Sequence, residues 1–191
     1  MYYVLDGSHE PHRRMDDWPY IKDVSWWQGK TITQQLPKPL NFLLETFIEA
    51  SPDHSSHIPA FFNTNPPLFR DDLIEALRNF GVTNFDTYDS ALTDPDSGKV
   101  YNNYKTVNFI GFVSAADLER SDAIVHDNTP SIDVDSDKLV IDEKKTFGLL
   151  MFRMAESSST VLIHEKLKDY LIEKGYTSKD LKFWDPTEIA I

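Results

Sequence analysis

The chain has 191 residues, of which 40% are hydrophobic and 13% aromatic, and these proportions exclude a disordered protein. Its net charge of −12 argues against binding to nucleic acid or to an anionic membrane, because either would need a concentrated basic face. The chain has no cysteine, which excludes disulfides, zinc–thiolate sites and thiol catalysis and fits a reducing compartment.

The N-terminal region begins with a β-prone run and then loses regular patterning. Residues 2–5 predict a first strand, whereas prolines and a glycine break any long element between residues 7 and 40. Trp18, Trp26 and Trp27 are expected to pin this coil to the rest of the protein. The first residues have neither the basic segment nor the apolar run of a signal peptide, and no apolar stretch approaches the roughly 20 residues of a membrane span. We therefore expect a cytoplasmic protein.

The following segments predict how the chain is organised. Residues 41–48 are dense in apolar side chains and predict a strand or a short helix, and residues 51–67 predict a loop rich in Pro, Ser and His. We expect a single domain over residues 1–191. In this domain an irregular part (about 7–65) packs on an α+β body (about 66–191).

Two segments of the body align without gaps at a constant offset of 94 residues. Residues 68–81 and 162–175 both carry leucines at helical spacing, followed by a glycine where a helix commonly ends in a left-handed residue. Each then runs into an aromatic stretch, so the sequence predicts a duplicated helix–Gly–strand unit over 68–86 and 162–184. Short helices are marginal alone in water, so both leucine stripes must pack on something else.

Three further strands are predicted in the body. A strong turn signal at 94–98 precedes residues 100–113, whose β-branched and aromatic residues predict a long strand. Residues 132–141 and 147–154 predict two more strands. Together with two short helices, these strands predict an α+β fold with a mostly antiparallel sheet.

The densest charge lies between residues 122 and 143, which hold seven acidic residues and a single lysine. Such a segment would attract a basic partner and speed its encounter, although a solvated edge strand guarded by aspartates is the alternative. Exposed tryptophans could anchor the same partner, with burial in the core as their alternative. The candidate partner-binding residues are Asp122, Asp127, Asp133, Asp135, Asp137, Trp26 and Trp27.

Two histidine clusters are candidates for metal binding or catalysis. His9 and His12 form a polar cluster near the N-terminus, without an accompanying nucleophile or phosphate-loop motif. Asp53, His54 and His57 could offer a carboxylate and two imidazoles to a metal, but flanking prolines favour a solvated loop there. We predict no catalytic residue, no metal site and no cofactor.

A calcium-loop reading of the acidic segment also fails. Residues 133–137 match the opening of a loop of the D-x-D-x-D-G type. Lys138 then stands where the tight turn needs glycine, and Lys144 stands where the bidentate glutamate belongs.

An ordered set of short segments resembles a known bacterial family. The segments are Tyr2-Tyr3-Val4-Leu5-Asp6, Ala116-Asp117-Leu118-Glu119-Arg120-Ser121, Leu139-Val140-Ile141-Asp142, Phe152-Arg153-Met154 and Leu162-Ile163-His164-Glu165-Lys166-Leu167-Lys168. In order and spacing they resemble the Imm-eleven family of polymorphic-toxin immunity proteins, formerly a domain of unknown function. The resemblance covers mainly residues 100–184 and the first strand, and it supplies no catalytic residues.

The resemblance implies a protein encoded beside a secreted toxin, which it binds and neutralises by occlusion; a nuclease is one candidate toxin. Two alternatives remain open at the level of sequence. One is a metal-dependent hydrolase that uses the histidine clusters, and the other is a scaffolding domain that docks through the leucine stripes.

Overall fold

The computed structural model describes residues 1–126 and 133–189, and these residues form the predicted α+β fold, with mainly antiparallel strand pairing. One sheet has five strands in the order β13-β1-β12-β11-β8. Its strands are β1 (Tyr2–Gly7), β8 (Phe112–Val113), β11 (Met151–Met154), β12 (Val161–His164) and β13 (Leu181–Trp184). The predicted first strand is therefore confirmed, and it lies between two C-terminal strands.

The second sheet has six strands in the order β2-β3-β6-β7-β5-β4. Its strands are β2 (Met15–Asp17), β3 (Leu40–Leu44), β4 (Phe61–Phe62), β5 (Leu68–Arg70), β6 (Phe85–Thr93) and β7 (Val100–Phe109). Of the two options for residues 41–48, the strand is correct, and β3 pairs in parallel with β6. Short strands also interrupt the two predicted loops, because their residues add hydrogen bonds at the ends of the sheet.

Strands β6 and β7 form a hairpin, and its turn lies at residues 94–98, as predicted. The amide of Asp94 donates to the carbonyl of Lys99 at 2.8 Å, and Gly98 N–H donates to Asp94 O at 2.9 Å. The strand predicted over 100–113 is wrong at its end, since β7 stops at Phe109. Gly111 has φ 86°, a left-handed conformation that only glycine adopts cheaply, and the chain passes there from one sheet to the other.

The two aligned segments each begin with a strand, which corrects the predicted helix boundaries. The helices are α1 (Asp71–Phe80) and α2 (Glu165–Glu173), and their first residues lie at the same offset of 94 residues. Residues 68–70 and 162–164 belong to β5 and β12, because their apolar side chains are buried between neighbouring strands. The glycines predicted to follow the helices have φ of 106° at Gly81 and 95° at Gly175.

The leucine stripes of α1 and α2 pack into the same hydrophobic cluster. Leu73 and Leu77 of α1 and Leu167 and Leu171 of α2 are each at most 1% exposed in this cluster, to which both sheets also contribute. The helices meet through Phe80 and Tyr170, whose ring centroids are 4.6 Å apart. Burial of each leucine contributes about 1.5–3 kcal/mol. Both leucine stripes are therefore buried against other parts of the same chain.

Two smaller clusters cover the outer faces of the sheets. The N-terminal coil lies over the six-stranded sheet through Trp26 and Leu36, which pack with Leu92 and Tyr104. On the five-stranded sheet, Phe152 and Leu162 pack with Ala116 and Leu139 of the segments that flank residues 122–138.

The strand predicted over 147–154 is shorter than expected. A 3-10 turn occupies Glu143–Thr146, and Phe147 follows with φ 55° and a side chain that is 85% exposed. Regular pairing begins at Met151, and all four residues of β11 are buried, whereas Leu149 and Leu150 are only partly buried. A left-handed residue at 147 cannot continue a strand.

Candidate functional site

Strands β9 (Asp122–His126) and β10 (Asp133–Lys138) pair only with each other among the described residues, and we call this pair the acidic ribbon. Its register sets residue 133 opposite residue 126, and it shifts between Ser136 and Lys138. Of the described part of the strand predicted over 132–141, residues 133–138 form β10, and the strand ends before Leu139. Of the predicted partner-binding residues, Asp127 lies outside the described residues, as do the side chains of Asp133, Asp135 and Asp137.

The base of the acidic ribbon is fixed to the outer face of the five-stranded sheet. Asp117 N–H donates to Val140 O at 2.8 Å, and Val140 N–H donates to the Ser121 hydroxyl at 2.9 Å. Leu139, the residue that follows β10, is fully buried. Beyond this base, Asp122 is exposed and Ile124 is 65% exposed. The ribbon thus offers charged and apolar surface on a fixed base.

The last two carboxylates of the acidic segment 122–143 have local structural partners. A carboxylate oxygen of Asp142 accepts a hydrogen bond from Lys144 N–H at 3.1 Å and so caps the 3-10 turn. Glu143 lies 3.0 Å from the amino group of Met1. These two carboxylates have local structural partners, so the candidate interface is limited to the ribbon itself.

Trp26 and Trp27 have different surroundings. Trp26 is 4% exposed and packs edge-on against Tyr88, with 5.6 Å between ring centroids. Of the two alternatives for this residue, an exposed anchor or a core residue, the structure therefore shows the core residue. Trp27 is half-buried, and both residues line a cavity of about 210 Å³ together with Trp18 and Tyr20. We call this cavity the aromatic cleft.

The Trp27 ring also covers a buried arginine, Arg153, to which no sequence pattern assigns a role in a site. Arg153 is 1% exposed, and its guanidinium carbon lies 4.7 Å from the centroid of Trp27 and 5.0 Å from that of Phe109. It donates to the carbonyl of Ser158, but its Nε has no partner among the described residues. Burial lowers the pKa of Arg153 to about 10. Its place in an apolar strand gave no signal of this environment.

A second buried charge holds the start of the segment that leads to the ribbon. Glu156 is 1% exposed, and its Oε1 accepts hydrogen bonds from the Ser114 hydroxyl at 2.7 Å and from Ala116 N–H at 3.1 Å. Its Oε2 has no partner in the described part of the chain. Glu156 therefore orients residues 114–116, from which the ribbon segment departs.

His9 and His12 line a groove beside the first strand. The Nε2 atom of His9 lies 2.8 Å from an Asp6 carboxylate oxygen. Burial alone would raise the pKa of Asp6, but hydrogen bonds from His9 and Asn63 outweigh it, so the pKa of Asp6 is lowered. His12 Nδ1 lies 2.7 Å from Glu10 O, and since a carbonyl only accepts, Nδ1 carries the proton. Burial lowers the pKa of His12, which keeps it neutral near pH 7. The groove thus contains one carboxylate-held and one neutral imidazole.

The other candidate metal ligands turn to separate partners. Asp53 lies 3.3 Å from an Arg14 nitrogen, and His54 lies 3.3 Å from a Glu45 carboxylate oxygen. His57 Nε2 is 3.3 Å from Asp180, without the alignment of a hydrogen bond. Within residues 1–126 and 133–189, no three His, Cys, Asp or Glu side chains come together as a metal site.

Two comparisons bear on the whole chain. Over the described ranges, none of the helices has the length and apolar character needed to cross a membrane. No model of a known protein family and no curated protein sequence matches the chain.

Proposed function

We propose that this chain is an immunity protein that binds a cognate toxin, encoded by the adjacent gene, and neutralises it by occlusion in the cytoplasm. The family assignment rests on the resemblance of the ordered sequence segments to the Imm-eleven family. The structural observation that supports a binding role is the acidic ribbon, which is separate from both sheets and anchored at its base.

The charge of the ribbon favours a basic partner. Residues 122–143 hold seven of the 31 acidic residues of the chain, and two of these seven are engaged at the base. Charges concentrated on a projecting element raise the association rate of an oppositely charged protein, by 10-fold or more at low salt. A nuclease domain, which binds phosphates through basic residues, has the complementary surface, and aspartates can occupy that surface as phosphate mimics.

The alternatives gain no support from the described residues. A scaffold that docks through the leucine stripes would need them exposed, whereas both stripes are buried against each other and the sheets. For the hydrolase, the candidate ligands Asp53 and His54 each face a different charged partner. We therefore propose a protein that acts by stoichiometric binding and not by catalysis.

Coexpression with the product of the adjacent gene tests the proposal. We expect growth to be rescued from the toxin, and the two proteins to copurify in a small fixed ratio. Full toxicity in the presence of the folded chain, or turnover of a substrate that depends on His9 or His12, would contradict the proposal.

The ribbon is tested separately by its effect on association. The variant Asp133→Asn, Asp135→Asn, Asp137→Asn is expected to lower the association rate constant about 10-fold at low salt, with a smaller effect at 0.5 M salt. Its matched control is Glu49→Gln, Glu75→Gln, Glu173→Gln, which removes the same charge from exposed positions elsewhere. Equal rates for the two variants in stopped-flow experiments would show that only net charge matters and would remove the ribbon from the interface.

A further inference from the structure

We propose that the aromatic cleft binds a lysine or arginine side chain of a basic protein partner. The proposed function supplies the identity of that partner, namely the toxin, whereas the chemistry of the cleft stands on its own geometry. The residues that carry the proposal are Trp18, Tyr20, Asp16, Asp17 and Asp23, and neither Trp18 nor Tyr20 belongs to the core.

The cleft has the size and exposure of a receptor for one side chain. Its volume of about 210 Å³ corresponds to roughly seven water molecules in the liquid, which suits a side chain and not a folded element. Tyr20 is 89% exposed and Trp18 is 41% exposed. Large aromatic side chains left on a surface lose apolar contact with the protein core, and such residues commonly become binding hot spots.

Fixed structure stands behind the two exposed rings. Trp26 forms a buried wall of the cleft and packs on Tyr88. Trp27 is held from the protein side by the buried guanidinium of Arg153. A cleft with fixed walls requires less ordering when a ligand binds, so more of the contact energy appears as affinity.

Three aspartates are neighbours of the cleft residues along the chain, although none of them lines the cleft itself, and their charge favours a cationic ligand. Asp16 and Asp17 immediately precede Trp18, and Asp23 follows in the same coil; all three are exposed. The backbone N–H of Trp18 donates to an Asp17 carboxylate oxygen at 2.9 Å, which keeps that carboxylate beside the backbone of Trp18. Lys22 is the only Lys or Arg between residues 15 and 29. Among the described residues, none of the three carboxylates has a cationic side chain within ion-pairing distance.

Aromatic faces together with carboxylates are the chemistry that recognises a cation. A guanidinium or ammonium group above a Trp or Tyr ring is attracted by the negative face of the ring, and the nearby carboxylates attract the same cation. An apolar side chain would gain burial in the cleft but nothing from the three carboxylates. The surroundings therefore favour lysine or arginine over an aliphatic or proline-rich ligand.

The four tryptophans provide a direct readout by two-dimensional ¹H–¹⁵N NMR, since each indole N–H gives one signal. N-acetyl-arginine amide is titrated into the full chain at constant ionic strength, and its neutral isostere N-acetyl-citrulline amide serves as the ligand control. The Trp18 signal is assigned with Trp18→Phe. Trp184 is the internal control, because it is half-buried outside the cleft and already carries Lys182 at 4.5 Å from its ring.

We expect the arginine amide to shift the Trp18 signal saturably, with a dissociation constant of about 1–10 mM, and to leave Trp184 unmoved. The citrulline amide should bind at least about fivefold more weakly. Asp16→Asn, Asp17→Asn, Asp23→Asn should weaken arginine binding about three- to tenfold, while Glu49→Gln, Glu75→Gln, Glu173→Gln should leave it unchanged. Tyr20→Ala should also weaken binding.

Several results would overturn the inference. One is a Trp18 signal that the arginine amide does not shift, and another is equal affinity for the two amides. A third is an equal loss of affinity in the two charge variants, which would mean that only the net charge of the protein matters. The outcome is separable from that of the proposed function. If the toxin copurifies but the cleft ignores arginine, only this inference fails; if the cleft binds arginine and no toxin copurifies, only the proposed function fails.

Discussion

The buried arginine of strand β11 offers a test of how the core balances an unpaired charge. Arg153→Met is expected to change the free energy of unfolding by no more than about 1 kcal/mol, although it removes a charged residue that is 1% exposed. Arg153→Ala is expected to lower the free energy of unfolding by about 2–4 kcal/mol. Methionine keeps the length of the apolar stem, whereas alanine removes it.

The magnitude follows from the surroundings of the guanidinium. Burial lowers the pKa of Arg153 to about 10, which corresponds to roughly 3 kcal/mol against the charged form. The contacts with Trp27 and Phe109 each return about 0.5–2 kcal/mol, and the hydrogen bond to the Ser158 carbonyl adds about 1–1.5 kcal/mol. The two sides nearly cancel, so the stem and its packing decide the stability.

Urea unfolding followed by circular dichroism measures both variants against the wild type, with equal m-values required for the comparison. If Arg153→Met proved as destabilising as Arg153→Ala, the charge itself would be the stabilising group and the reasoning would be refuted. Trp27→Leu provides a further check, since loss of the ring should destabilise the wild type more than the Arg153→Met background by about 1 kcal/mol.

Two other predictions concern the hairpin turn and the helix pair. Hydrogen bonds from the Ser97 hydroxyl and from Arg13 lower the pKa of Asp94, so its contribution to stability is complete above about pH 4 and is lost as pH falls through the lowered pKa. Asp94→Asn should therefore cost about 1–3 kcal/mol at pH 7 and less at pH 3, and a cost independent of pH in urea unfolding would contradict this. For the helices, a double-mutant cycle with Phe80→Leu and Tyr170→Leu should give a coupling of about 0.5–1.5 kcal/mol, and a coupling near zero would mean that the rings do not interact.

Local patterns were sufficient for much of the fold. The first strand, the turn at 94–98 and the existence of α1 and α2 each depend on residues close in sequence. These are a β-prone run, a turn sequence with proline and glycine, and leucines at helical spacing. The boundaries were less predictable. Residues 68–70 and 162–164 carry the same apolar density as the helices that follow them, and only pairing with distant strands makes them β-structure.

The candidate site was predictable in composition but not in arrangement. The acidic density of 122–143 and the aromatic residues of the N-terminal coil are visible in the sequence, whereas their exposure is not. The division of the acidic segment between ribbon and base depends on capping at Asp142 and on the position of Met1. No sequence signal marks Tyr20 as a candidate, because an exposed tyrosine and a buried one look alike in a coil without periodicity.

The sequence by itself determined the fold class, the existence of the two helices and the acidic charge of the chain, because each follows from composition or from spacing within a few residues. Tertiary structure alone decided that Gly111 carries the chain from one sheet to the other, that Trp26 is buried and that Arg153 lies between two aromatic rings. The physical reason is that these outcomes depend on contacts between residues tens of positions apart. Such contacts form only when the whole domain packs, because burial and close packing of the side chains then outweigh the preferences of the local sequence.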